Sequence, residues 1–242
     1  MEQETNPNLK QITKVSDNTA IEEFNRFTYP ASSTSIDRYV FANTWTKGKT
    51  VLDAATGQGY GAGILLSLGA KSVVGIDTDE HAIEVANNLL QSPKANFSVC
   101  DIFNLEKDFK ENEFEVCVSL ETFEHLPPER LDEYLQSIRK VTSETLVIST
   151  PQRKTEEWVY DGGTHLYEYN PTEFLEALNR NFPNDEVGGF GIIETPLNTD
   201  YPNIDYQWGS TITTNLNKAW VMVGIISLCA CIKCLKYFSA TS

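Results

Sequence analysis

The sequence has little of what marks a secreted or membrane-spanning protein. It carries five cysteines in 242 residues, Cys100, Cys117, Cys229, Cys231 and Cys234. This odd and unevenly placed set does not look like a disulfide framework. The polar N-terminus has no apolar stretch of the kind found in secretory signals. We therefore predict a protein of the reducing cytoplasm.

Long apolar runs are also scarce. The uncharged stretch over residues 219–232 is shorter than the roughly 20 residues that a membrane-spanning helix needs. Lys233 and Lys236 follow it. We interpret this stretch as a buried strand that continues into a short tail, with a tail anchor as the alternative, and we expect no membrane span.

Basic residues are outnumbered. The chain has 19 Lys and Arg against 34 Asp and Glu, which gives a formal net charge of −15. An acidic surface repels phosphate backbones, and the sequence contains no dense basic run. Nucleic acid is therefore disfavoured as a partner. The composition does not indicate an oligomeric state.

Apolar patterning alternates between strands and helices through most of the chain. It predicts strands at 50–54, 72–76, 96–100, 114–119 and 145–150, and helices at 35–45, 60–68, 79–91, 128–141 and 171–179. Two further strands, 187–194 and 218–227, have no helix between them, so they should be antiparallel.

This pattern predicts an α/β, Rossmann-like fold. The sheet should have seven strands, mostly parallel, with helices on both faces and a C-terminal antiparallel pair. We expect a polar N-terminal arm over residues 1–30, one domain over 31–228 and a C-terminal tail over 229–242.

A glycine-rich loop, VLDAATGQGYGAG, follows the first predicted strand. Gly57, Gly59 and Gly61 allow a tight turn and a close approach of backbone to ligand, and the next helix begins with free N–H groups. Asp77 ends the next strand 20 residues after Gly57, where a carboxylate can accept hydrogen bonds from ribose hydroxyls. The loop and the acid together predict a nucleoside-containing cofactor.

The loop alone does not choose that cofactor. Residues 57–62 also fit the dinucleotide fingerprint, so a NAD-dependent oxidoreductase is an alternative. Asp53 would repel a pyrophosphate and can help to hold a cationic amino-acid group. Asp101 can bond an adenine amino group while Ile102 packs on the ring. These residues favour S-adenosylmethionine.

Five segments carry a family resemblance. They are VLDAATGQGYG, GIDTDEHAIEVA, FSVCDIF, FEVCVSLETFEHL and LVISTPQ, in this order. Together they resemble the motif series of class I S-adenosylmethionine-dependent methyltransferases, in particular small enzymes that modify glycans, lipids or other metabolites. The resemblance covers about residues 38–178. It implies an enzyme that moves a methyl group from S-adenosyl-L-methionine to an oxygen or nitrogen of a small molecule or saccharide.

The resemblance also implies which residues contact the cofactor. They are Ala55, Gly57 and Gly59 at the methionine part, Asp77 and Thr78 at the ribose, Asp101 and Ile102 at the adenine, and Leu120 near the sulfonium. Asp53 joins this set through its place before the loop.

Methyl transfer requires an aligned acceptor, and a hydroxyl acceptor usually benefits from a base. Two segments that follow strands offer candidates. Glu121 and His125 lie in the first and His165 in the second, and we predict these three as catalytic residues. The acceptor should lie between the N-terminal arm and residues 158–169 and 198–213. Tyr201, Tyr206 and Trp208, in the last of these segments, can stack on a sugar ring.

Other interpretations remain open. Glu121, Glu124, His125 and His165 resemble the two glutamates and two histidines by which small-RNA 3′-terminal 2′-O-methyltransferases bind a divalent metal. A metal-assisted RNA 2′-O-methyltransferase is therefore an alternative, although the acidic balance opposes it and we expect no metal. A non-catalytic member of the fold is a further alternative.

Overall fold

Seven strands form one sheet in the part of the chain that the computed structural model describes, namely residues 33–153, 157, 160, 162–183, 185–193 and 225–233. The strands are β1 (Thr50–Ala54), β2 (Ser72–Asp77), β3 (Ala95–Val99), β4 (Phe114–Leu120), β5 (Thr142–Pro151), β6 (Glu186–Ile193) and β7 (Ile225–Lys233). Their order across the sheet is β3-β2-β1-β4-β5-β7-β6.

The helices alternate with the strands along most of the chain. They are α1 (Ser33–Thr46), α2 (Tyr60–Ser67), α3 (Glu80–Leu89), α4 (Leu131–Val141) and α5 (Pro171–Asn181). Short 3-10 helices span Ile102–Lys107, Phe123–His125 and Pro128–Arg130. None of the described helices combines the length and apolar content needed to cross a membrane.

Strands β1 to β5 pair in parallel. Successive side chains of a strand point to opposite faces of the sheet, so β1 contributes to two separate cores. Val51 packs on the face covered by α1, α2 and α3, whereas Leu52 packs with α4 and α5 on the other face. Helices therefore cover both faces, and the predicted α/β class with a mostly parallel sheet is confirmed.

Beyond β5 the backbone pairing becomes antiparallel. β7 pairs with β5, and β6 pairs with β7 at the edge. The last strand was predicted at 218–227, but it is described over Ile225–Lys233. It thus runs five residues past the expected domain boundary at 228 and includes Cys229 and Cys231. The predicted end at 227 is therefore wrong, because the apolar run continues to Ile232.

A capping box fixes the start of α5. Asn170 accepts a hydrogen bond from the backbone N–H of Glu173, whose carboxylate accepts one from the N–H of Asn170 in return. Pro171 occupies the first turn, where its missing N–H costs nothing. The same Glu173 carboxylate contacts Arg153, which joins α5 to the end of β5. These contacts fix the approach of the 162–170 segment to the sheet.

Several expectations lie outside the described residues. The N-terminal arm, the 198–213 segment and the tail beyond residue 233 are among them. In the 158–169 segment, Trp158, Val159 and Asp161 also lie outside the described residues.

The packing of α4 gives a stability prediction. Leu135 is fully buried in the core beneath α4. Leu135→Ala should lower the free energy of unfolding by about 2–5 kcal/mol, because it removes apolar contacts and leaves a cavity. Urea denaturation followed by circular dichroism measures this loss. The control Lys140→Ala lies on the same helix and removes only an exposed ion pair with Glu106, so it should cost less than about 1 kcal/mol. Equal losses in the two variants would contradict this packing.

Candidate active site at the strand ends

The glycine loop turns through left-handed backbone conformations. Ala55, Gly57 and Gly59 have φ values of 63°, 56° and 79°. A Cβ at Gly57 would meet no heavy atom within 4 Å, whereas one at Gly59 would lie 2.9 Å from Ala86 and Phe97. The loop therefore packs against the protein at Gly59 and leaves open space at Gly57. This open cradle fits the close approach of a ligand.

Asp77 joins the end of β2 to this loop. Its Oδ2 accepts a hydrogen bond of 2.8 Å from the N–H of Gly57, and its Oδ1 accepts one of 3.1 Å from the N–H of Asp79. The carboxylate is only partly buried. Asp79 then caps α3 by accepting from the N–H groups of His81 and Ala82. The predicted loop and the predicted acid are thus in direct contact.

Asp53 lies beneath the loop and is 1% exposed. Its carboxylate accepts hydrogen bonds from the Tyr39 hydroxyl at 3.1 Å and the Thr56 hydroxyl at 2.6 Å. Burial raises the pKa of Asp53 to about 6, although both hydrogen bonds oppose the rise, and the charge of Asp77 adds to it. Asp53 therefore orders the loop from below, as its position in the sequence suggested.

The remaining predicted cofactor residues lie around the same edge. Asp101 and Thr78 are exposed, whereas Ile102 and Leu120 are buried. Asp101 lies two residues beyond the end of β3 and begins the Ile102–Lys107 turn by accepting a hydrogen bond from the N–H of Phe103. The structure places the adenine candidates, Asp101 and Ile102, after β3, which neighbours the β2 strand that ends in Asp77.

Glu121 follows β4 with a φ of 52°, a conformation that costs energy for a residue with a side chain. Its N–H donates to both the carbonyl and the hydroxyl of Ser149. The Ser149 hydroxyl donates to Glu121 Oε1 at 2.7 Å, and Arg38 lies 2.8 Å from Oε2. Both carboxylate oxygens are thus engaged, so Glu121 links β4, β5 and α1.

Glu124, His125 and His165 form a second group. The Glu124 side chain is 1% exposed, and its Oε1 lies 3.7 Å from Nε2 of His125. The backbone carbonyl of Glu124 accepts hydrogen bonds from the N–H groups of Leu166 and Tyr167, which holds the 162–170 segment against the strand ends. Burial raises the pKa of Glu124 to about 8, and the neighbouring charge of Glu121 contributes to this rise.

The structure therefore brings the predicted residues into two groups. The loop group contains Asp53, Ala55, Gly57, Gly59 and Asp77, and the second group contains the two predicted histidines beside Glu124. Sequence reasoning missed the partners of three carboxylates, namely Tyr39 at Asp53, Thr150 at Glu124, and both Arg38 and Ser149 at Glu121. The polar Ser-Thr pair at the end of β5 was a signal for Ser149 and Thr150, whereas Arg38 and Tyr39 lie on α1, far away in sequence.

Comparison with known proteins agrees with this geometry. Residues 51–145 match the family model described as a methyltransferase domain. A comparison with curated protein sequences finds no match.

Solved structures of the same fold include three described as S-adenosylmethionine-dependent methyltransferases. The enzyme from Archaeoglobus fulgidus is 21% identical and superposes with a TM-score of 0.62, covering 83% of this chain and 93% of that one. The one from Aquifex aeolicus is 19% identical, with a TM-score of 0.55 and coverage of 96% and 100%. The one from Mesorhizobium loti is 14% identical, with a TM-score of 0.57 and coverage of 82% and 100%.

The class of protein follows from the matched domain and the fold. Residues 51–145 form a methyltransferase domain, and the chain has the Rossmann-like fold of these solved structures, in agreement with the resemblance drawn from its motifs. S-adenosyl-L-methionine is accordingly its expected cofactor.

The buried carboxylate beneath the loop gives a pH prediction. An acid whose pKa is raised in the folded protein binds its proton more tightly there than in the unfolded chain. Asp53 therefore favours folding at low pH, and its contribution is lost as the pH rises through about 6. Between about pH 4 and pH 7 the wild type should lose about 3 kcal/mol of stability relative to Asp53→Asn. Urea denaturation of both proteins across this range tests the prediction, and a difference that stays constant with pH would contradict it.

Proposed function

We propose that this protein is an S-adenosylmethionine-dependent methyltransferase that transfers a methyl group to an oxygen or nitrogen atom of a small molecule or saccharide. The observation that carries the proposal is the direct contact between the glycine loop and Asp77, because the N–H of Gly57 donates to that carboxylate. This contact lies within the matched methyltransferase domain. The contact places the backbone of the loop next to a partly exposed carboxylate, which can accept hydrogen bonds from the hydroxyl groups of a ribose.

The residues fit a cofactor that carries a cationic amino acid and a nucleoside. Ala55, Gly57 and Gly59 would hold the methionine part, and Asp53 would support the loop from below. Asp77 and Thr78 would bind the ribose, Asp101 and Ile102 would hold the adenine, and Leu120 would lie near the sulfonium. The open space at Gly57 and the partly exposed Asp77 support this assignment.

When bound, S-adenosyl-L-methionine supplies a methyl group activated by its positively charged sulfur. The chain must orient the acceptor and, for a hydroxyl, assist the loss of its proton. We assign this part to His125 and His165, whose side chains are partly exposed beside the strand ends. Glu121 acts as a positioning residue, because Arg38 and Ser149 already engage its carboxylate.

The charge of the chain supports a small acceptor. A formal net charge of −15 opposes the approach of a phosphate backbone. Hydroxyl and amine groups carry no such penalty. A saccharide or another small hydroxyl or amine compound is therefore the acceptor class that we propose.

Cofactor choice is tested by calorimetry with the full chain. Wild type should bind S-adenosylmethionine and not NAD. Asp77→Ala should weaken binding at least about tenfold, equivalent to about 1.4 kcal/mol, because it removes the ribose acceptor and frees the loop. The control Glu84→Ala removes a carboxylate that is 73% exposed on the neighbouring helix α3. This variant should bind within about twofold of wild type. Tight binding of NAD without S-adenosylmethionine would identify an oxidoreductase instead.

Acceptor class is tested by mass spectrometry of a panel incubated with the enzyme and S-adenosylmethionine. The panel contains monosaccharides, small hydroxyl and amine compounds, and a short RNA with a terminal 2′,3′-diol. We expect a mass increase of one methylene on a small acceptor. Methylation of the RNA alone would overturn the acceptor class. No methylation of any compound, despite cofactor binding, would favour a non-catalytic member of the fold.

A further inference from the structure

Glu124, His125 and His165 converge from two segments of the chain. One ligand atom from each lies within 4.8 Å of the others. The two imidazole rings meet edge to face, with centroids 5.0 Å apart and an angle of 78° between their planes. Such a set of one carboxylate and two imidazoles has the chemistry of a divalent metal site.

Both histidines are oriented with Nε2 available. Nδ1 of His125 lies 2.9 Å from the carbonyl oxygen of Thr164, and a carbonyl can only accept, so the proton is on Nδ1. Nδ1 of His165 lies 2.8 Å from a carboxylate oxygen of Glu168, which favours the same tautomer. Metal-binding histidines are held in this way by acceptors behind the ring, which expose the Nε2 lone pair to the ion.

Glu124 adds a buried carboxyl group beside these lone pairs. Its Oε2 accepts a hydrogen bond of 3.1 Å from the Thr150 hydroxyl, and its Oε1 lies on the side of His125. A buried carboxylate is costly unless a cation or several donors compensate its charge. A metal ion would provide that compensation, because neutral imidazoles donate electron pairs and carry no positive charge.

Glu121 does not belong to this set. One of its oxygens is bonded to the Ser149 hydroxyl and the other lies 2.8 Å from Arg38. A metal would have to compete with both partners. The structure thus separates Glu121 from the three residues with which the sequence grouped it.

We propose that Glu124, Nε2 of His125 and Nε2 of His165 bind one divalent ion of the first transition series, such as Mn²⁺ or Zn²⁺. This proposal revises the expectation that no metal is bound. Three protein ligands leave at least one coordination position open, as in catalytic metal sites. With both Nε2 atoms bound to the ion, the histidines would act as ligands and not as free bases, and an acceptor hydroxyl at the open position would lose its proton more readily through the ion. That role rests on the proposed function, whereas the binding of the ion does not.

The spacing of the ligand atoms suits such an ion after a small adjustment. Two ligand atoms at about 2.1 Å from a tetrahedral ion are about 3.4 Å apart. Oε1 of Glu124 and Nε2 of His125 lie 3.7 Å apart and must approach by about 0.3 Å. A nitrogen of His165 lies within 4.8 Å of ligand atoms of both residues and must approach by about 1.4 Å at most. Rotation of the partly exposed imidazoles supplies this movement, since the side chains of His125 and His165 are 40% and 35% exposed.

Titration of the full-length, chelator-treated chain with Mn²⁺ tests the proposal. Electron paramagnetic resonance of free Mn²⁺ reports binding, and this ion has little preference for the cysteine thiolates. We expect one bound ion per chain. Glu124→Gln and His165→Ala should each weaken binding at least about tenfold. Two control variants should bind Mn²⁺ within about threefold of wild type. They are His81→Ala, which removes an exposed histidine on α3, and Glu121→Gln. Circular dichroism of each variant checks that it is folded.

Two results would overturn the proposal. One is that wild type binds no more Mn²⁺ than the folded Glu124→Gln variant. The other is that Glu121→Gln weakens binding as much as Glu124→Gln, which would make the three-ligand set wrong. Calorimetry with S-adenosylmethionine on the same chelated sample separates failure of the metal site from failure of the proposed function, because cofactor binding does not require the ion.

Discussion

Parallel pairing is the constraint on which the whole candidate site depends. The register sets Ala54 opposite Ile76 and Leu120 opposite Ser149, so the residues that follow these strands must emerge together at one edge. Backbone hydrogen bonds alone achieve this placement. The bond from Gly57 to Asp77 then joins two neighbouring strand ends. Candidate site residues that are far apart in sequence therefore become neighbours through the backbone alone.

The two buried carboxylates at this edge, Asp53 and Glu124, differ in the hydrogen-bond donors that surround them. Asp53 is enclosed, and both of its oxygens accept from hydroxyl groups, which hold it against the loop although burial still raises its pKa. Glu124 accepts from one hydroxyl, and its other oxygen lies beside the partly exposed His125. The first arrangement is complete without a ligand. The second has an open side lined by electron-pair donors, which is why we assign it to a cation.

Local patterns predicted most of the fold and the loop half of the site. β1 was placed correctly because turn residues bound a short apolar run, and the spacing from Gly57 to Asp77 follows from one strand-helix-strand unit. The end of the last strand, predicted at 227, was wrong because the apolar run continues to Ile232 and the strand to Lys233. The contacts of Arg38 with Glu121 and of Tyr39 with Asp53 depend on how α1 packs. The sequence therefore could not show that the Glu121 carboxylate was already engaged.

The charges near the glycine loop and those near Glu124 favour related kinds of ligand. The carboxylates of Asp77 and Asp101 lie on the cofactor side and favour a positively charged ligand over an anionic one. On the proposed acceptor side, Arg38 balances Glu121, whereas Glu124 faces the imidazole of His125. An anionic acceptor would add to the negative charge on both sides. A neutral hydroxyl compound would add none, and its oxygen is the kind of ligand that an ion held by Glu124 and the two histidines can bind. The acidic character of the chain and the proposed metal site thus favour the same class of acceptor.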